Sequence, residues 1–462
     1  MYSYLTCKDA IQQDGGYGWI IVFASFVLFT IADGIAFSVG QFEHIWTKTL
    51  GTSNAWTSLA NSLFVSVPLI CAPLSSLATH KFGCRKVTIF GGFVASVGFI
   101  LAFFSSNFFF ICLTYGFVSG LGLAFVYVPA VVIISTYFDK KLSSATGIAL
   151  SGSGLGTVIG PPICNFLIET YSWRGCLLIL AAVLLNICVC GALYRPLELH
   201  KSTSSETVQS KLSSCTQSLE TLDKKGLKTL VLPSKRMWAS CPQLSSQDSE
   251  EPIKEEKKIC SIVPSNIFKS SFLIFCLCTG LVYMASDIPY IFNMQMAVEQ
   301  FKFGHFASSY LTPVIGACNT VGQIFVGWLA DKNCISILRL YMIYTCMVGL
   351  ILITMPFCSN FYYLAFACAG YGWFMSADYA LSLTMIVLIL DSRYVTWATG
   401  LIYMCQGIGN VIGPPLAGLI IDETKEYLIA YAVSGSVIIL AASLVLCIKV
   451  KKKQNDKQDL YI

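Results

Sequence analysis

The chain has 462 residues, of which 55% are hydrophobic and only 12% are charged, and its formal net charge is +5. A soluble domain carries roughly 25% charged residues. This composition excludes an ordinary soluble globular protein, because most of the surface must face something other than water.

Long apolar runs predict about twelve transmembrane helices. About 20 residues are needed to cross the hydrocarbon core of a bilayer, whereas the strands of a closed β-barrel would show weak ten-residue alternation. No cleavable signal is expected before the first run, where Asp9 and Asp14 stand instead of a short apolar core. The predicted helices cover 18–40, 56–79, 87–106, 108–136, 144–168, 175–194, 270–294, 307–330, 336–357, 361–390, 396–421 and 428–449.

Most of the 20 cysteines fall inside these runs, as Cys112 and Cys188 do. Buried cysteine behaves as a small hydrophobic residue, so a disulfide framework is not expected. No cysteine pair has the spacing of a metal site. Neither a metal nor another cofactor is expected.

The basic residues predict the orientation, since lysine and arginine favour the cytoplasmic side. With the N-terminus inside and twelve spans, the inner short loops and termini hold 14 basic residues and the outer side holds 4. The inner set is Lys8, Lys81, Arg85, Lys86, Lys140, Lys141, Lys332, Arg339, Arg393, Lys449, Lys451, Lys452, Lys453 and Lys457; the outer set is Lys48, Arg174, Lys302 and Lys425. Both termini are therefore predicted to be cytoplasmic.

The stretch 197–265 differs from the rest of the chain, because it is rich in Ser, Lys, Glu and Gln and has no apolar period. Such a composition cannot bury enough surface to order itself. We interpret it as a mostly disordered cytoplasmic linker between a six-helix bundle at 1–196 and another at 266–450, followed by a cytoplasmic tail at 451–462. A tether is one interpretation of the linker; a phosphorylation or docking segment is the other.

An internal repeat relates the two halves. Residues 145–162 (ATGIALSGSGLGTVIGPP) match residues 398–415 (ATGLIYMCQGIGNVIGPP) without gaps, at an offset of 253. A second match follows span two of each half, where Leu77-Ala78 corresponds to Leu329-Ala330. The halves are therefore predicted to be parallel repeats about an axis along the membrane normal.

Each repeat ends in a Gly-Pro-Pro triplet. Small residues allow helices to approach closely, and proline removes a helical hydrogen bond and bends the helix. A hinge between the halves is one interpretation and a static kink is the other. The candidate hinge residues are Gly160, Pro161, Pro162, Gly413, Pro414 and Pro415.

Two motifs resemble the signatures of the monocarboxylate transporters, a family of the major facilitator superfamily. The first, DGGYGW at 14–19, has Tyr17 where tryptophan is usual, and the second begins with YFDKK at 137–141 and runs into span five. The matching residues are Asp14, Gly15, Gly16, Gly18 and Trp19 in the first motif and Tyr137, Phe138 and Gly147 in the second. The resemblance covers nearly the whole chain outside the linker, and it implies two six-helix bundles that work by alternating access.

A loop motif of the superfamily also has a counterpart after span eight, where GWLADK supplies Gly327, Asp331 and Lys332. After span two the matching segment is degraded, with Thr79 where the acid would be. The run 172–196 is similar to that of the creatine-transporting members.

The resemblance also implies which positions would bind a solute. Members that move lactate or pyruvate with a proton use a lysine in span one and an aspartate and an arginine in span eight. By position these fall on Phe37, Asn319 and Gln323, so all three charges are absent here. Phe374 matches an aromatic residue that shapes the cavity.

The ionisable residues at depth are three acids: Asp33 in span one, Asp287 in span seven and Asp378 in span ten. Charges within a membrane span are functional candidates, although each acid could instead pair with a hydroxyl or amide at a helix contact. A carboxylate solute needs a compensating cation inside the membrane, and no span has a Lys or Arg at mid-depth.

Three functions remain open. A facilitative carrier of a zwitterionic or neutral solute of the creatine type is favoured; proton-coupled symport of lactate or pyruvate is the alternative, with Asp33 or Asp378 carrying the proton. A non-transporting receptor that signals through the linker is the third. An enzyme is not expected, since all four histidines lie outside the spans.

The expected partners are a small-molecule solute and the lipid bilayer, and no nucleic acid. The resemblance implies a single-span glycoprotein subunit for some members of the family. The plasma membrane is the expected location.

Overall fold

The computed structural model describes most of the two predicted bundles. Backbone is described for residues 14–38, 42, 46, 54–105, 107–195, 269–332, 334–390 and 394–448, with side chains at all of these except 54–59, 61, 305 and 306. The predicted linker at 197–265 and tail at 451–462 lie outside the described residues.

Long helices account for nearly all of the described chain, and their bounds follow the apolar runs. A one-turn helix, His305–Ser308, precedes α8. The helices are α1 (Gly18–Ala36), α2 (Asn54–Ile70 continued by Ala72–Phe82), α3 (Cys84–Phe103), α4 (Phe108–Tyr137), α5 and α6 (together Leu142–Ala192), α7 (Ser270–Glu299), α8 (Leu311–Asp331), α9 (Ile337–Phe357), α10 (Phe361–Ile389), α11 (Val395–Thr424) and α12 (Tyr427–Cys447).

Among the described residues, ten helices are long and apolar enough to span a membrane, with Leu142–Ala192 counted as one, and α2 adds a pair bent by 47° at Cys71. Pro73, at the start of the second part of α2, explains this break. The longest helix has 51 residues, which at 1.5 Å per residue is about 76 Å, more than twice the hydrocarbon thickness. It is interrupted at Ser172, whose φ of 65° and ψ of 164° are not helical. α5 (142–171) and α6 (173–192) are therefore two spans, and the described residues contain the twelve predicted ones.

The most extensive contacts between the halves are those of α5 with α8 and of α2 with α11. Glycines from the repeat face these contacts. Gly147 of α5 lies against the Gln323 carbonyl of α8, and its repeat equivalent Gly400 of α11 lies against Ala72 and Ser76 of α2.

Other repeat glycines face the first helix of their own half. Gly156 lies against Gly34 in α1, while its equivalent Gly409 lies against Met284 in α7. Gly160 and Gly413 contact the carbonyls of the same two residues, Gly34 and Met284. Equivalent glycines therefore have equivalent neighbours, which confirms the predicted parallel repeat residue by residue.

The predicted hinge residues lie within continuous helix. The backbone stays helical through Pro161-Pro162 in α5 and Pro414-Pro415 in α11. Pro162 and Pro415 are exposed on the outside of the bundle, so their rings take no space from the packed faces. A hinge role for these triplets stays a prediction.

Candidate functional site

A cavity opens between the two halves, with about 910 Å³ of empty space that includes open solvent at its mouth. A space of this order suits a small-molecule ligand. Its lining comes from both halves: Phe29, Asp33, Ala36, Phe37, Phe64, Val65, Pro68, Leu69, Tyr127, Leu150 and Ser153 from the first, and Tyr283, Asp287, Asp378, Tyr379, Ser382, Tyr403, Gln406 and Asn410 from the second.

All three predicted acids and Phe37 line this cavity, and the described residues that line it include no Lys, Arg or His. Uncompensated carboxylates within a membrane protein are costly. The walls are otherwise apolar or carry neutral hydroxyl and amide groups. The net charge of the lining is therefore negative whenever its acids are ionised.

Asp33 is half-buried on α1 and is held by α4 and α5. The Tyr127 hydroxyl donates to Asp33 Oδ1 at 2.5 Å, and Ser153 lies beside the same carboxylate. Phe29, one turn before Asp33, stacks on the Tyr127 ring with centroids 5.7 Å apart. Charge-assisted bonds of this kind are among the stronger ones, so the carboxylate is fixed at the cavity wall.

Asp378 is the most enclosed of the three acids, with 3% of its surface exposed. The Tyr341 hydroxyl of α9 donates to Asp378 Oδ1 at 2.5 Å. Oδ2 is buried and has no hydrogen-bond partner among the described residues, while Tyr283 of α7 is its neighbour. One carboxylate oxygen is therefore satisfied and the other is left for a proton or a ligand.

Asp287 lies where α7 is interrupted. The helix ends at Ser286 and resumes at Ile288, with Pro289 in the first turn of the second segment. Asp287 is thus both the C-cap of the first segment and the N-cap of a 12-residue second segment, so the two helix dipoles oppose each other at its carboxylate. Its Oδ1 accepts a long bond of 3.4 Å from the Ser286 hydroxyl, and the carboxylate is half-buried.

Tyr379 lines the same cavity as the three acids. It stands next to Asp378 on α10, and its ring meets that of Tyr283 edge-on, with centroids 6.4 Å apart. The acids of α1, α7 and α10 therefore share one cavity with this tyrosine.

Three other predicted site residues are not among the lining residues. Asn319 Nδ2 donates to the Gly372 carbonyl of α10 at 3.1 Å, and Gln323 Nε2 donates to Asn319 Oδ1 at 2.5 Å. Both amides are buried at 3% exposure or less. The Phe374 ring packs on Tyr344 of α9 at 5.2 Å. The amides bond within α8 and to the α10 backbone, while Gln323 Oε1 is buried without a partner among the described residues.

Tyrosines and amides at the site were missed by sequence reasoning, and the repeat carries a signal for some of them. Ser153 on α5 corresponds to Gln406 on α11 at the offset of 253, and both line the cavity. The packing of Gly34 and Met284 against equivalent glycines sets α1 and α7 in register with an offset of 250. Asp33 then corresponds to Tyr283.

The acid and the tyrosine of this contact thus lie on opposite helices in the two halves. In the first half the α1 residue is the acid Asp33 and the α4 residue is Tyr127; in the second the α7 residue is Tyr283 and the α10 residue is Asp378. Aligning the two halves of the sequence for polar residues would have found these tyrosines.

The signature motif at the start of α1 forms a contact with the start of α5, away from the cavity lining. The Asp14 carboxylate accepts from the backbone N–H groups of residues 139–141 at 2.9–3.2 Å. Gly15 and Gly16 form the turn into α1, and Gly16 has a φ of +60°, which favours glycine.

The second signature packs against this turn. The Phe138 ring lies against Gly18, where a Cβ would approach it to 3.0 Å, and meets the Trp19 ring edge-on at 5.1 Å. The Tyr137 hydroxyl donates to the Arg195 carbonyl at 2.8 Å. The two signatures therefore meet each other and fix α1 against the ends of α4 and α6.

The loop motif reaches across the halves. The Asp331 carboxylate at the end of α8 accepts from Ser143 N at 3.1 Å and Ser144 N at 2.8 Å, at the start of α5. Gly327 lies against the Ser143 carbonyl, and Lys332 Nζ is 3.8 Å from the centroid of the Trp328 ring.

The family model of the Major Facilitator Superfamily matches residues 18–376 and 338–460. The chain belongs to this superfamily. Curated relatives include Monocarboxylate transporter 12-B of Danio rerio, 29% identical over 97% of this chain and 91% of that protein. Monocarboxylate transporter 12 of Homo sapiens is 28% identical over 98% and 85%, and Monocarboxylate transporter 9 of Gallus gallus is 28% identical over 94% and 93%.

These relatives place the chain in the monocarboxylate transporter family of the superfamily, as its signatures indicated. The chain is a multi-pass integral membrane transporter and not an enzyme.

Proposed function

We propose that this transporter is a facilitative carrier for a small solute with a cationic group. The observation that carries the proposal is the cavity lining, in which the described residues supply three carboxylates, contributed by both halves, and no basic side chain. A cation placed among Asp33, Asp287 and Asp378 would offset a charge that the protein itself leaves uncompensated. Alternating access of the two halves would then carry it across the membrane.

Simple anions such as lactate fit this lining poorly. The position of the family's lysine in α1 is occupied by Phe37, whose ring packs on Tyr290 of α7 at 5.5 Å. The positions of its aspartate and arginine hold the mutually bonded pair Asn319 and Gln323. A carboxylate solute in this cavity would meet like charges and no cation.

A creatine-like zwitterion is the solute predicted from the sequence. Its guanidinium would bond the carboxylates of Asp33 and Asp287, which are both half-buried and reach the cavity. Its own carboxylate would turn to the amides of Gln406 and Asn410 on α11.

A proton-coupled carrier is the second candidate, and one observation favours it. The buried Oδ2 of Asp378 has no partner among the described residues, and a proton on that oxygen would neutralise the acid. In that mechanism Asp378 would be loaded with a proton from one side and unloaded to the other.

We also propose a plasma-membrane location, as expected from the family resemblance, with both termini in the cytoplasm; the 14 to 4 distribution of basic residues in the short loops and termini supports this orientation. An epitope in 197–265 that antibodies reach from outside intact cells would contradict this orientation.

The function is tested by uptake of a solute panel in oocytes, with external pH and membrane potential varied. The panel should hold lactate, pyruvate, creatine and simple amines. We expect uptake of solutes with a cationic group and little dependence on an inward proton gradient. Robust lactate uptake that rises steeply as external pH falls would overturn the proposal and support proton symport.

A further inference from the structure

The charge of the cavity lining bears on the net charge of the solute that the cavity prefers. Asp33 lies on α1 of the first half, and Asp287 and Asp378 lie on α7 and α10 of the second, so negative charge faces the cavity from both sides. All three line the same cavity, together with Tyr379. A small-molecule solute bound in the cavity would therefore face carboxylates of both halves.

Local contacts and burial act on these acids in opposite directions. Tyr127 donates to Asp33 and Tyr341 donates to Asp378, and these bonds favour the charged form of each acid, whereas burial away from water favours its neutral form. Asp287 lies between two helical segments, so the C-terminal dipole of the first opposes the N-terminal dipole of the second. The lining can therefore carry up to three negative charges, while the described lining residues supply no positive charge to balance them.

The aromatic residues of the walls act in the same direction. Phe37 packs on Tyr290, Phe29 stacks on Tyr127, and Tyr283 meets Tyr379. Aromatic faces attract cations through their quadrupole. The lining acids favour positive charge, and a ring face turned to the cavity would add to this preference.

A zwitterion gains less from such a lining than a cation does. Its carboxylate would enter the same space of about 910 Å³ as three acids of the protein. The lining groups able to donate to it, such as the amides of Gln406 and Asn410 and the hydroxyls of Ser382 and Tyr403, are all neutral, and the Asn410 Oδ1 atom is itself buried without a partner among the described residues. Like charges held close together in such a space repel each other strongly.

From this balance we infer that the preferred solute is an organic cation, an amine or guanidine that lacks a carboxylate and carries net positive charge. The inference rests on the proposed function and narrows it: the carboxylate that the family's usual solutes share is a disadvantage in this cavity. Transport of such a solute moves charge across the membrane, so it is electrogenic.

The test compares two solutes that differ only in the carboxylate-bearing arm. Creatine is a zwitterion, and N,N-dimethylguanidine is the same guanidine with a methyl group in place of the carboxymethyl arm; its guanidinium stays protonated at neutral pH. Uptake and current are recorded in oocytes that express the transporter and in water-injected oocytes. We expect dimethylguanidine uptake at least about 10-fold above creatine uptake at equal concentration, with an inward current, which corresponds to about 1.4 kcal/mol of preference.

Asp287→Asn should lower dimethylguanidine uptake, with surface expression measured in parallel. Asp422→Asn, at an exposed acid of α11 outside the cavity lining, is the matched control and should leave uptake unchanged. If Asp287→Asn fails to reach the surface, Asp287→Glu keeps the charge, and retained uptake in that variant supports the same conclusion.

Creatine uptake equal to or greater than that of dimethylguanidine, without current, overturns the net-cation inference and leaves the proposed function standing. If neither guanidine is carried while lactate is, both the inference and the proposed function fail. If neither guanidine nor any other cation-bearing solute of the panel is carried, both fail as well.

Discussion

The two interfaces between the halves, α5–α8 and α2–α11, are related by the repeat but are held together differently. At the first, the Asp331 carboxylate bonds the Ser143 and Ser144 N–H groups at the start of α5. At the second, the Ser76 hydroxyl donates to the Thr396 carbonyl at 2.8 Å. Charge-assisted bonds are about twice as strong as neutral ones.

Thr79 explains this difference, because it occupies the position equivalent to Asp331. It is 5% exposed and its hydroxyl has no partner among the described residues. Beyond it the His80 ring lies 5.9 Å from that of Trp397. A symmetric fold can therefore carry one strong and one weak contact at the same end, and we expect the α2–α11 side to separate more readily.

Among the interface variants, Asp331→Asn should have the largest effect on turnover. One amide oxygen would replace two charged acceptors, and a hydrogen bond to a charged group is worth about 1.5–3 kcal/mol. We expect turnover per surface transporter to fall about 10-fold or more, because this end no longer closes firmly in each cycle. Turnover within twofold of wild type, with Asp422→Asn as the control, would contradict a role for this contact.

A matched pair of glycine substitutions compares the packing at the two interfaces. A Cβ on Gly147 would meet the backbone carbonyl of Gln323, while a Cβ on Gly400 would meet chiefly the Ser76 side chain, which can turn away. Overpacking typically costs about 1–3 kcal/mol. Thermal unfolding in detergent should show a larger loss of stability for Gly147→Ala than for Gly400→Ala. Equal losses would mean that the α5–α8 contact is no tighter.

The prolines next to these interfaces test the predicted hinge. Replacing Pro161 and Pro162 by alanine restores two helical N–H groups without removing a packed side chain, since Pro162 is exposed. If the triplet lets α5 flex, transport should slow severalfold while surface expression survives. The same change at Pro414 and Pro415 is the internal comparison, and unchanged turnover in both variants would leave only static packing.

Ser76→Ala should have the smallest effect. It removes one neutral hydrogen bond, worth about 0.5–1.5 kcal/mol, from the α2–α11 interface. We expect a change in turnover of less than about 10-fold, clearly below that of Asp331→Asn. An effect on turnover larger than that of Asp331→Asn would mean that the α2–α11 interface is held more strongly than the α5–α8 interface.

The twelve spans could be predicted from the sequence, because each is a long apolar run. The breaks within them could not: the predicted gap between spans five and six shrinks to Ser172, and the interruption of α7 at Asp287 lies inside an apolar run. Such breaks depend on packing between helices rather than on composition.

The residues that line the cavity could be predicted only in part. Acids in a span are rare enough to single out Asp33, Asp287 and Asp378, and all three line the cavity. Asn319 and Gln323 were chosen by position in the family, but in this chain they bond to each other and to α10. Tyrosine is common in apolar spans, so Tyr127, Tyr283, Tyr379 and Tyr403 were not distinguished from packing residues.

The central claim, that carboxylates of the cavity hold the cationic group of the solute, is tested most directly by Asp33→Asn. Asparagine keeps the shape of the side chain and an acceptor for the Tyr127 hydroxyl but removes the charge. Loss of a desolvated charge contact costs about 2–5 kcal/mol, so the Michaelis constant for the carried guanidine or amine should rise by at least about 30-fold. An unchanged Michaelis constant at normal surface expression would contradict the account.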